Sequence, residues 1–155
     1  MSSEWAILAA SLIKPYEGLH ALKSDGLVYP YLDTLAKPNL PTRGYGRTYG
    51  ITMESPPITK EQAILELTEG IESYGLKCAS LAPVLLQHPR KLAAVTSWAW
   101  NCGVGAFKVS RLRKAIIDER WDVAAELMLK PDTAGGTVYR GLQRRRAAEA
   151  ALFKS

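Results

Sequence analysis

The sequence predicts an α+β fold in which one N-terminal helix is followed by a small antiparallel β-sheet and then by a larger group of helices. Apolar residues recur at helical spacing near the start, short β-prone pieces follow to about residue 55, and helical periodicity then returns. Strands and helices segregated in this way indicate α+β architecture. We therefore expect one domain over residues 1–155, with a β lobe at about 19–55 and a helical lobe at about 56–155 that includes the first helix.

The predicted first helix covers residues 3–17. Its apolar residues lie at helical spacing and would face a core: Trp5, Leu8, Ala9, Leu12 and Ile13. Pro15 has no N–H and its ring presses on the preceding turn, so we expect a kink near the end of the helix. Gly18 is the expected terminator after Glu17.

A change of pattern between Leu19 and Met53 predicts the β lobe. The pieces "LVYPYL" and "TRGYGRTYGI" are rich in β-prone residues, and Asp-Gly and Pro-Asn turn signals separate such pieces. These features predict a small antiparallel sheet.

The remaining chain predicts helices. In "ITKEQAILEL", Thr59 and Gln62 form a capping box, and the helix should run to about Ala79. Pro89 opens the next helix, which "NCGVGAF" ends. Its apolar stripe predicts a central position in the lobe: Leu92, Val95, Trp98 and Ala99. Further helices are predicted at 110–119, 121–130 and 138–153, with "KPDTAGGT" as the longest loop.

The net charge and the N-terminal segment limit the possible partners and location of the chain. A net charge of +5 favours a polyanionic partner such as nucleic acid, anionic lipid or a bacterial wall polymer. We expect no nucleic-acid partner, because no recognised binding motif is present. The apolar run "WAILAASLI" follows no basic segment, precedes no small-residue cleavage site and is too short to span a bilayer. Neither a signal peptide nor stable membrane insertion is expected, so the chain should be held in the cytoplasm unless another factor exports it.

The two cysteines, Cys78 and Cys102, are isolated. Neither belongs to a CxxC motif or clusters with His20 or His88, so we expect no metal site. Two buried thiols in a reducing compartment are favoured over a disulfide, because two isolated cysteines make no disulfide framework.

Carboxylates bracket the turn-rich segment after the first helix. Glu17 lies at the helix end and Asp33 in the following segment. Cleavage of a glycosidic bond needs one carboxylic acid to protonate the leaving oxygen and one carboxylate to activate water or attack the anomeric carbon. Alone the pair is a weak signal, because such residues are commonly solvated. Asp25 in "KSDG" is a rival acid, which we assign to a hairpin turn because Asp-Gly favours that geometry.

Four segments carry a family resemblance: "EGL" at 17–19, "PYLDTLAKPNLPTRGYGRT" at 30–48, "SWAWNCGVGAFKVSRL" at 97–112 and "GLQRRRAAEAALF" at 141–153. Their combined pattern of Glu-Gly, Tyr-x-Asp and Thr-x-Gly-x-Gly-x-Thr resembles the phage-type lysozymes, or endolysins, of glycoside hydrolase family 24. The chain departs from this pattern in its long spacers, and Arg47 stands where the family more often has histidine.

The resemblance implies a lysozyme-like fold with an active-site cleft between the two lobes. It implies that Glu17 is the general acid, Asp33 the second carboxylate and Thr42 its companion in placing the hydrolytic water. The Thr42 hydroxyl can donate to Asp33 and accept from water. In the matched Gly-Leu-x-x-Arg-Arg-x-x-Glu pattern, Arg145 is the residue expected to reach Glu17, whereas Arg144 is expected on a solvated helix face.

The expected substrate-binding residues are Tyr31, Tyr45, Trp100, Asn101 and Arg145. Trp98 and Trp100 lie two apart on a helix and so point to different sides, which suggests one core residue and one cleft-wall residue. We assign Trp100, beside Asn101, to the cleft. For Gly44 and Gly46, unusual backbone angles and direct sugar contact both stay open.

The resemblance implies a muramidase that cleaves the β-1,4 bond between N-acetylmuramic acid and N-acetylglucosamine in peptidoglycan, with inversion, to lyse a phage's host. The alternatives are a lytic transglycosylase on the same bond and a non-catalytic wall-binding relative. No cofactor is expected, and the chain is expected to be a monomer. The expected partners are peptidoglycan glycan strands, with holin-dependent release from the host cytoplasm to the wall.

Overall fold

The computed structural model of the chain describes residues 3–34, 39–130 and 140–155. The chain divides into two compact units, residues 14–70 and residues 1–13 together with 71–155. The described residues are mostly helical, with a small antiparallel β part. The predicted α+β class is therefore confirmed.

The unit of residues 14–70 contains the β part and begins at the end of helix α1 (Glu4–Glu17). Helix α1 continues through Pro15, and Gly18 follows it with a φ of +66°. Such a left-handed backbone suits glycine, and the predicted end of the helix after Glu17 is confirmed. Four short strands follow: β1 (Leu27–Val28), β2 (Tyr31–Asp33), β3 (Leu40–Thr42) and β4 (Ile58–Thr59).

Strand pairing differs in detail from the predicted single sheet. Within the described residues, β1 pairs with β4 and β2 pairs with β3, both antiparallel, as two separate two-stranded sheets. The piece "TRGYGRTYGI" forms a strand only up to Thr42. Gly44 and Gly46 then have φ angles of +68° and +94°, which an extended strand does not adopt, so the chain turns instead.

Helix α2 (Lys60–Leu81) begins as predicted. The Thr59 N–H donates to Gln62 Oε1 at 2.8 Å, and the Gln62 N–H donates to Thr59 Oγ1 at 3.1 Å. The capping box is therefore confirmed, and it satisfies two N–H groups at the start of the helix.

The unit of residues 1–13 and 71–155 is helical. After a 3₁₀ turn at Pro83–Gln87 it contains α3 (Pro89–Cys102), α4 (Val104–Val109), α5 (Arg111–Ile117), α6 (Trp121–Leu129) and α7 (Arg140–Lys154). Helix α4 was not predicted. Gly103, with a φ of +101°, ends α3 as expected, but the chain re-enters a helix at once. Most of the predicted loop "KPDTAGGT", together with Val138, lies outside the described residues.

Helix α3 is central to the core of this unit, and it packs against α7. The largest fully buried apolar side chains of the core cluster are Phe107, Phe153, Leu85, Leu92, Ile116 and Met128. Trp98 is half-buried at the edge of this core, in an edge-to-face contact with Phe107 at 6.3 Å between ring centroids. Trp98, the tryptophan expected in the core, therefore packs at the edge of the core and not at its centre. The other members of the predicted stripe, Leu92, Val95 and Ala99, are buried. The stripe therefore predicted the buried face of the helix correctly.

Cys78 and Cys102 form no disulfide with each other. Cys78 is completely buried in the core, and burial raises the pKa of its thiol to about 12. Cys102 is only partly buried, unlike the expectation for both thiols. Across residues 3–34, 39–130 and 140–155, no helix has the length and apolar character needed to cross a membrane.

Candidate active site

Glu17 is the last residue of α1 and is half-buried. Its carboxylate faces the turn after β3, because a Cβ atom added to Gly46 would lie 3.6 Å from Glu17 Oε2. Gly46 has a φ of +94° and carries no side chain, so the backbone of the turn approaches the carboxylate closely. The predicted acid therefore lies beside the Gly-Tyr-Gly segment of the family pattern.

Asp33 and Thr42 lie on one face of the β2–β3 pair. Tyr31 pairs with Thr42 and Asp33 pairs with Leu40 in the antiparallel register. Side chains of paired residues share a face, as do residues two apart on one strand, so Tyr31, Asp33 and Thr42 face the same side. Diagonal neighbours of this kind stand about 7–8 Å apart. The register therefore brings the predicted second carboxylate and its threonine to one surface.

Tyr31 connects this face electrostatically to Glu17. Burial raises the pKa of the Tyr31 phenol, and the negative charges of Asp33 and Glu17 raise it further. Both carboxylates therefore act on the same phenol. The His20 ring packs against the Tyr31 ring, at 5.4 Å between ring centroids. Tyr31, predicted to bind substrate, thus lies in the field of both predicted catalytic carboxylates.

Thr42 is buried, and its hydroxyl donates to the Leu40 carbonyl at 3.0 Å. In this structure the hydroxyl proton is therefore directed to the Leu40 carbonyl and not to Asp33, the expected acceptor. The oxygen still offers lone pairs, so it can accept a hydrogen bond from a water molecule.

The turn at residues 43–47 is closed by its backbone. The Arg43 N–H donates to the Arg47 carbonyl at 3.0 Å, and the Arg47 N–H donates to the Arg43 carbonyl at 3.1 Å. Gly44 and Gly46 both have positive φ angles in between, so the backbone role of these glycines is present. Tyr45, between them, is buried, and the Lys14 ammonium lies 5.9 Å from its ring centroid. Sugar contact by Gly44, Gly46 or Tyr45 stays a prediction.

Asp25, the rival acid, belongs to a hairpin turn. Its carboxylate accepts from the Leu27 N–H at 2.9 Å and from the Tyr29 hydroxyl at 2.5 Å. These bonds, first the one from Tyr29, lower the pKa of the exposed Asp25 carboxyl. The structure therefore gives Asp25 the turn role that its Asp-Gly sequence predicts.

The predicted site residues of the helical unit lie on α3 and α7. Trp100 is half-buried and packs on Tyr74 at 4.8 Å between ring centroids. Asn101 is exposed, and its Oδ1 accepts a short hydrogen bond from Arg146. Arg145 is buried; its Nε donates to Glu149 Oε1 at 3.1 Å and its Nη2 to the Ser97 carbonyl at 3.1 Å. Pairing of Arg145 with Glu17 stays a prediction.

Arg145, Arg146 and Glu149 form a buried group that we call the helix cluster. Arg146 donates to Glu149 Oε2, and the Ser97 hydroxyl donates to Glu149 Oε1 at 2.8 Å. Burial raises the pKa of Glu149, while the two guanidiniums and the Ser97 hydroxyl oppose this by stabilising the carboxylate.

Sequence reasoning missed the burial of Arg146 and Glu149, although it placed Arg144 correctly on an exposed face. The available signal was spacing. Arg145 and Arg146 stand four and three residues before Glu149, which brings all three side chains to one side of a helix.

Two carboxylates and a threonine beside a glycine turn, within an α+β fold, define a candidate glycosidase of the lysozyme class. The family model for phage lysozyme matches residues 23–149, and the chain belongs to that family. Asp33 and Thr42 lie within the matched range, whereas Glu17 precedes it. The resemblance to the phage lysozymes drawn from the sequence is thereby confirmed.

Individual relatives agree with this assignment. An endolysin of Bacillus phage PZA is 32% identical over 149 residues, which cover 94% of this chain and 53% of the relative. The chain thus spans about half the length of the curated relatives it matches. A solved structure of a mutant P22 lysozyme is 27% identical, with a TM-score of 0.77 and coverage of 100% of this chain and 99% of that one. An endolysin from Escherichia coli O157:H7 phage FAHEc1 is 25% identical, with a TM-score of 0.70 and coverage of 99% and 92%.

Among the described residues, no group of three or more histidine, cysteine, aspartate or glutamate side chains is arranged to hold a metal ion.

Proposed function

We propose that the chain is a muramidase that hydrolyses the β-1,4 bond between N-acetylmuramic acid and N-acetylglucosamine in peptidoglycan, with inversion of the anomeric carbon. One observation carries the proposal: Glu17 lies against the turn that follows Thr42, and Thr42 shares the face of Asp33. Two carboxylates near one face are what cleavage of a glycosidic bond requires.

Each side chain has a role in this reaction. Protonated Glu17 donates its proton to the leaving glycosidic oxygen, while ionised Asp33 accepts a proton from the attacking water. Thr42 accepts a hydrogen bond from that water and fixes its direction, since its own proton is held by the Leu40 carbonyl. An inverting pair of carboxyl groups stands about 6.5–9.5 Å apart to leave room for the water. A threonine beside the second carboxylate suits a bound water better than a covalent intermediate, which favours inversion.

Partners and location follow from the same proposal. The net charge of +5 suits an anionic wall polymer, and the curated relatives are endolysins. The chain would accumulate as a monomer in the host cytoplasm, pass to the wall with the help of a holin and degrade the wall at lysis. Tyr31, Tyr45, Trp100, Asn101 and Arg145 are the residues proposed to bind the glycan.

The test is product analysis on isolated peptidoglycan with the purified chain and two variants. Glu17→Gln should lower kcat by at least about 10²-fold, because an amide of the same shape cannot donate the leaving-group proton. Glu61→Gln is the matched control, since Glu61 is an exposed residue of the first turn of α2. Near-normal clearing of a wall suspension by folded Glu17→Gln would contradict the assignment of the acid.

NMR of the first-formed products separates the alternatives. A new reducing end that is initially α supports inversion, and an initially β end contradicts it. A 1,6-anhydro end with no added water identifies a lytic transglycosylase. Binding to the wall without release of any ends identifies a non-catalytic relative.

A further inference from the structure

Glu66 joins the two ends of the turn that faces Glu17. Its Oε1 atom lies 2.9 Å from Arg43 Nη2 and 3.3 Å from Arg47 Nη1. These three side chains, which we call the turn cluster, connect helix α2 to the first and last residues of the turn at 43–47. Arg43 also donates Nη1 to the Pro56 carbonyl at 2.6 Å, so its guanidinium is fixed on two sides.

The turn cluster and the backbone act on the same two residues. Arg43 and Arg47 exchange both of their backbone hydrogen bonds. One carboxylate oxygen therefore holds side chains whose backbones are already paired, and the two sets of bonds support each other. Loss of the carboxylate would leave two guanidiniums close together without their shared counter-charge, which favours separation of the ends of the turn.

The turn itself lies between α2 and Glu17. On one side, a Cβ atom on Gly44 would stand 3.4 Å from the Ala63 Cβ, so the backbone packs directly on α2. On the other side, a Cβ atom on Gly46 would stand 3.6 Å from Glu17 Oε2. Thr42 immediately precedes the turn. A shift of the turn therefore displaces the surroundings of Glu17 and the position of Thr42 together.

We propose that Glu66 is a positioning residue for the reaction: by binding Arg43 and Arg47 with one oxygen it fixes the turn against Glu17 and holds Thr42 in register. This inference rests on the proposed function, because it assigns Glu66 a part in the same chemistry. Glu66 acts through the turn and touches none of the reacting atoms. Displacement of a catalytic group by about 1 Å can cost about 100-fold in rate, so such a support matters to the chemical step.

The kinetic test compares Glu66→Gln with Glu69→Gln, an exposed glutamate one turn further along α2. Glu66→Gln should lower kcat on peptidoglycan about 10- to 100-fold and leave KM within about 2-fold, because the geometry of the chemical step changes more than the binding of the glycan. Glu69→Gln should match the wild type. Folding of each variant is checked by circular dichroism at the assay temperature.

A double-mutant cycle distinguishes positioning from general damage. Arg47→Gln should lower kcat as well, and the double variant Arg47→Gln with Glu66→Gln should be little worse than Glu66→Gln alone, because both remove the same contact. Multiplication of the two single effects in the double variant would overturn the proposal. Arg47 is 40% exposed and its removal keeps the Arg43 pair, so Arg47→Gln remains informative if Glu66→Gln fails to fold.

Amide hydrogen exchange tests the turn independently of activity. The Arg47 N–H, which donates to the Arg43 carbonyl, should exchange at least about 10-fold faster in Glu66→Gln than in Glu69→Gln, because the turn opens more often. A folded Glu66→Gln with wild-type kcat and wild-type exchange overturns the positioning role while the muramidase assignment stands. If the wild type itself releases no ends, the proposed function fails instead, and faster exchange in Glu66→Gln would still show that the cluster holds the turn.

Discussion

The turn cluster and the helix cluster each place two arginines on one glutamate, but the two groups differ in burial. In the helix cluster, the side chains of Arg145, Arg146 and Glu149 are 4%, 1% and 0% exposed. In the turn cluster, the side chains of Arg43, Arg47 and Glu66 are 9%, 40% and 18% exposed. The same pairing of two arginines with one glutamate is therefore excluded from water in one cluster and partly hydrated in the other. The contributions of the two clusters to stability should differ accordingly.

Burial decides what each cluster does. Removal of one partner from a buried pair leaves an uncompensated charge away from water, which is strongly destabilising. A partly hydrated pair is screened and contributes about 0–1 kcal/mol to stability. The helix cluster is therefore a structural element of the helical unit. The turn cluster, in which Arg47 and Glu66 are partly hydrated, contributes less to stability, and its contact with the turn beside Glu17 gives it a positioning role.

The largest expected effect falls on the β2–β3 face. Asp33→Asn should lower kcat on peptidoglycan about 10²- to 10⁴-fold, because an amide cannot accept the proton of the attacking water. Stability should change little, since Asp33 lies half-exposed on a short strand. Steady-state kinetics and urea unfolding of the same preparation measure both quantities.

Asp25→Asn is the control for this variant. Asp25 holds the hairpin through the Leu27 N–H and the Tyr29 hydroxyl, and an asparagine side-chain oxygen can accept one of these bonds. The rate should therefore stay within about 3-fold of the wild type, far from the loss expected for a catalytic base. The reverse ranking of the two variants would move the reaction to the first hairpin and would remove the basis of the turn cluster's role.

The second prediction concerns stability in the helical unit. Glu149→Gln should destabilise the chain by about 3–5 kcal/mol, because Arg145 and Arg146 stay buried without their counter-charge. The loss would appear as a lower urea midpoint with an unchanged slope. Glu66→Gln, the equivalent change in the turn cluster, should cost less than Glu149→Gln, because Arg47 is largely hydrated and Arg43 keeps its hydrogen bond to the Pro56 carbonyl. Equal losses in the two variants would show that burial does not separate the clusters.

The parts of the structure that sequence predicted are those with local signals. The end of α1 at Glu17 follows from Gly18, and the start of α2 follows from the reciprocal bonds of Thr59 and Gln62. Both depend on residues within one turn of each other. Asp33 and Thr42 were predicted as site residues from a family pattern, and the β2–β3 register brings them to one face.

Features that depend on packing between distant parts of the chain were not predicted from the sequence. A run of three arginines is typical of a solvated helix face, yet only Arg144 is exposed, while Arg145 and Arg146 are buried. Their burial depends on Glu149 and on α3, whose Ser97 lies 48 residues from Arg145 in sequence. The strands β1 and β4 are two residues long, too short for alternation to reveal their pairing. The Gly-Tyr-Gly turn was read as part of a strand because tyrosine and threonine favour strands.

The smallest expected effect tests the same comparison within one helix. Arg144 is exposed and stands directly before Arg145, so it differs from its neighbours in burial while sharing their charge. Arg144→Ala should change the free energy of unfolding by no more than about 0.5 kcal/mol, because an exposed guanidinium is already solvated and alanine favours the helix slightly more. Urea unfolding measured beside Glu149→Gln gives the contrast directly. Surface substitutions away from buried charges usually change the free energy of unfolding by no more than about 0.5 kcal/mol. A loss above about 1 kcal/mol in Arg144→Ala would therefore mean that Arg144 interacts with the helix cluster. The boundary between solvated and buried charge on α7 would then lie one residue earlier than the structure has it.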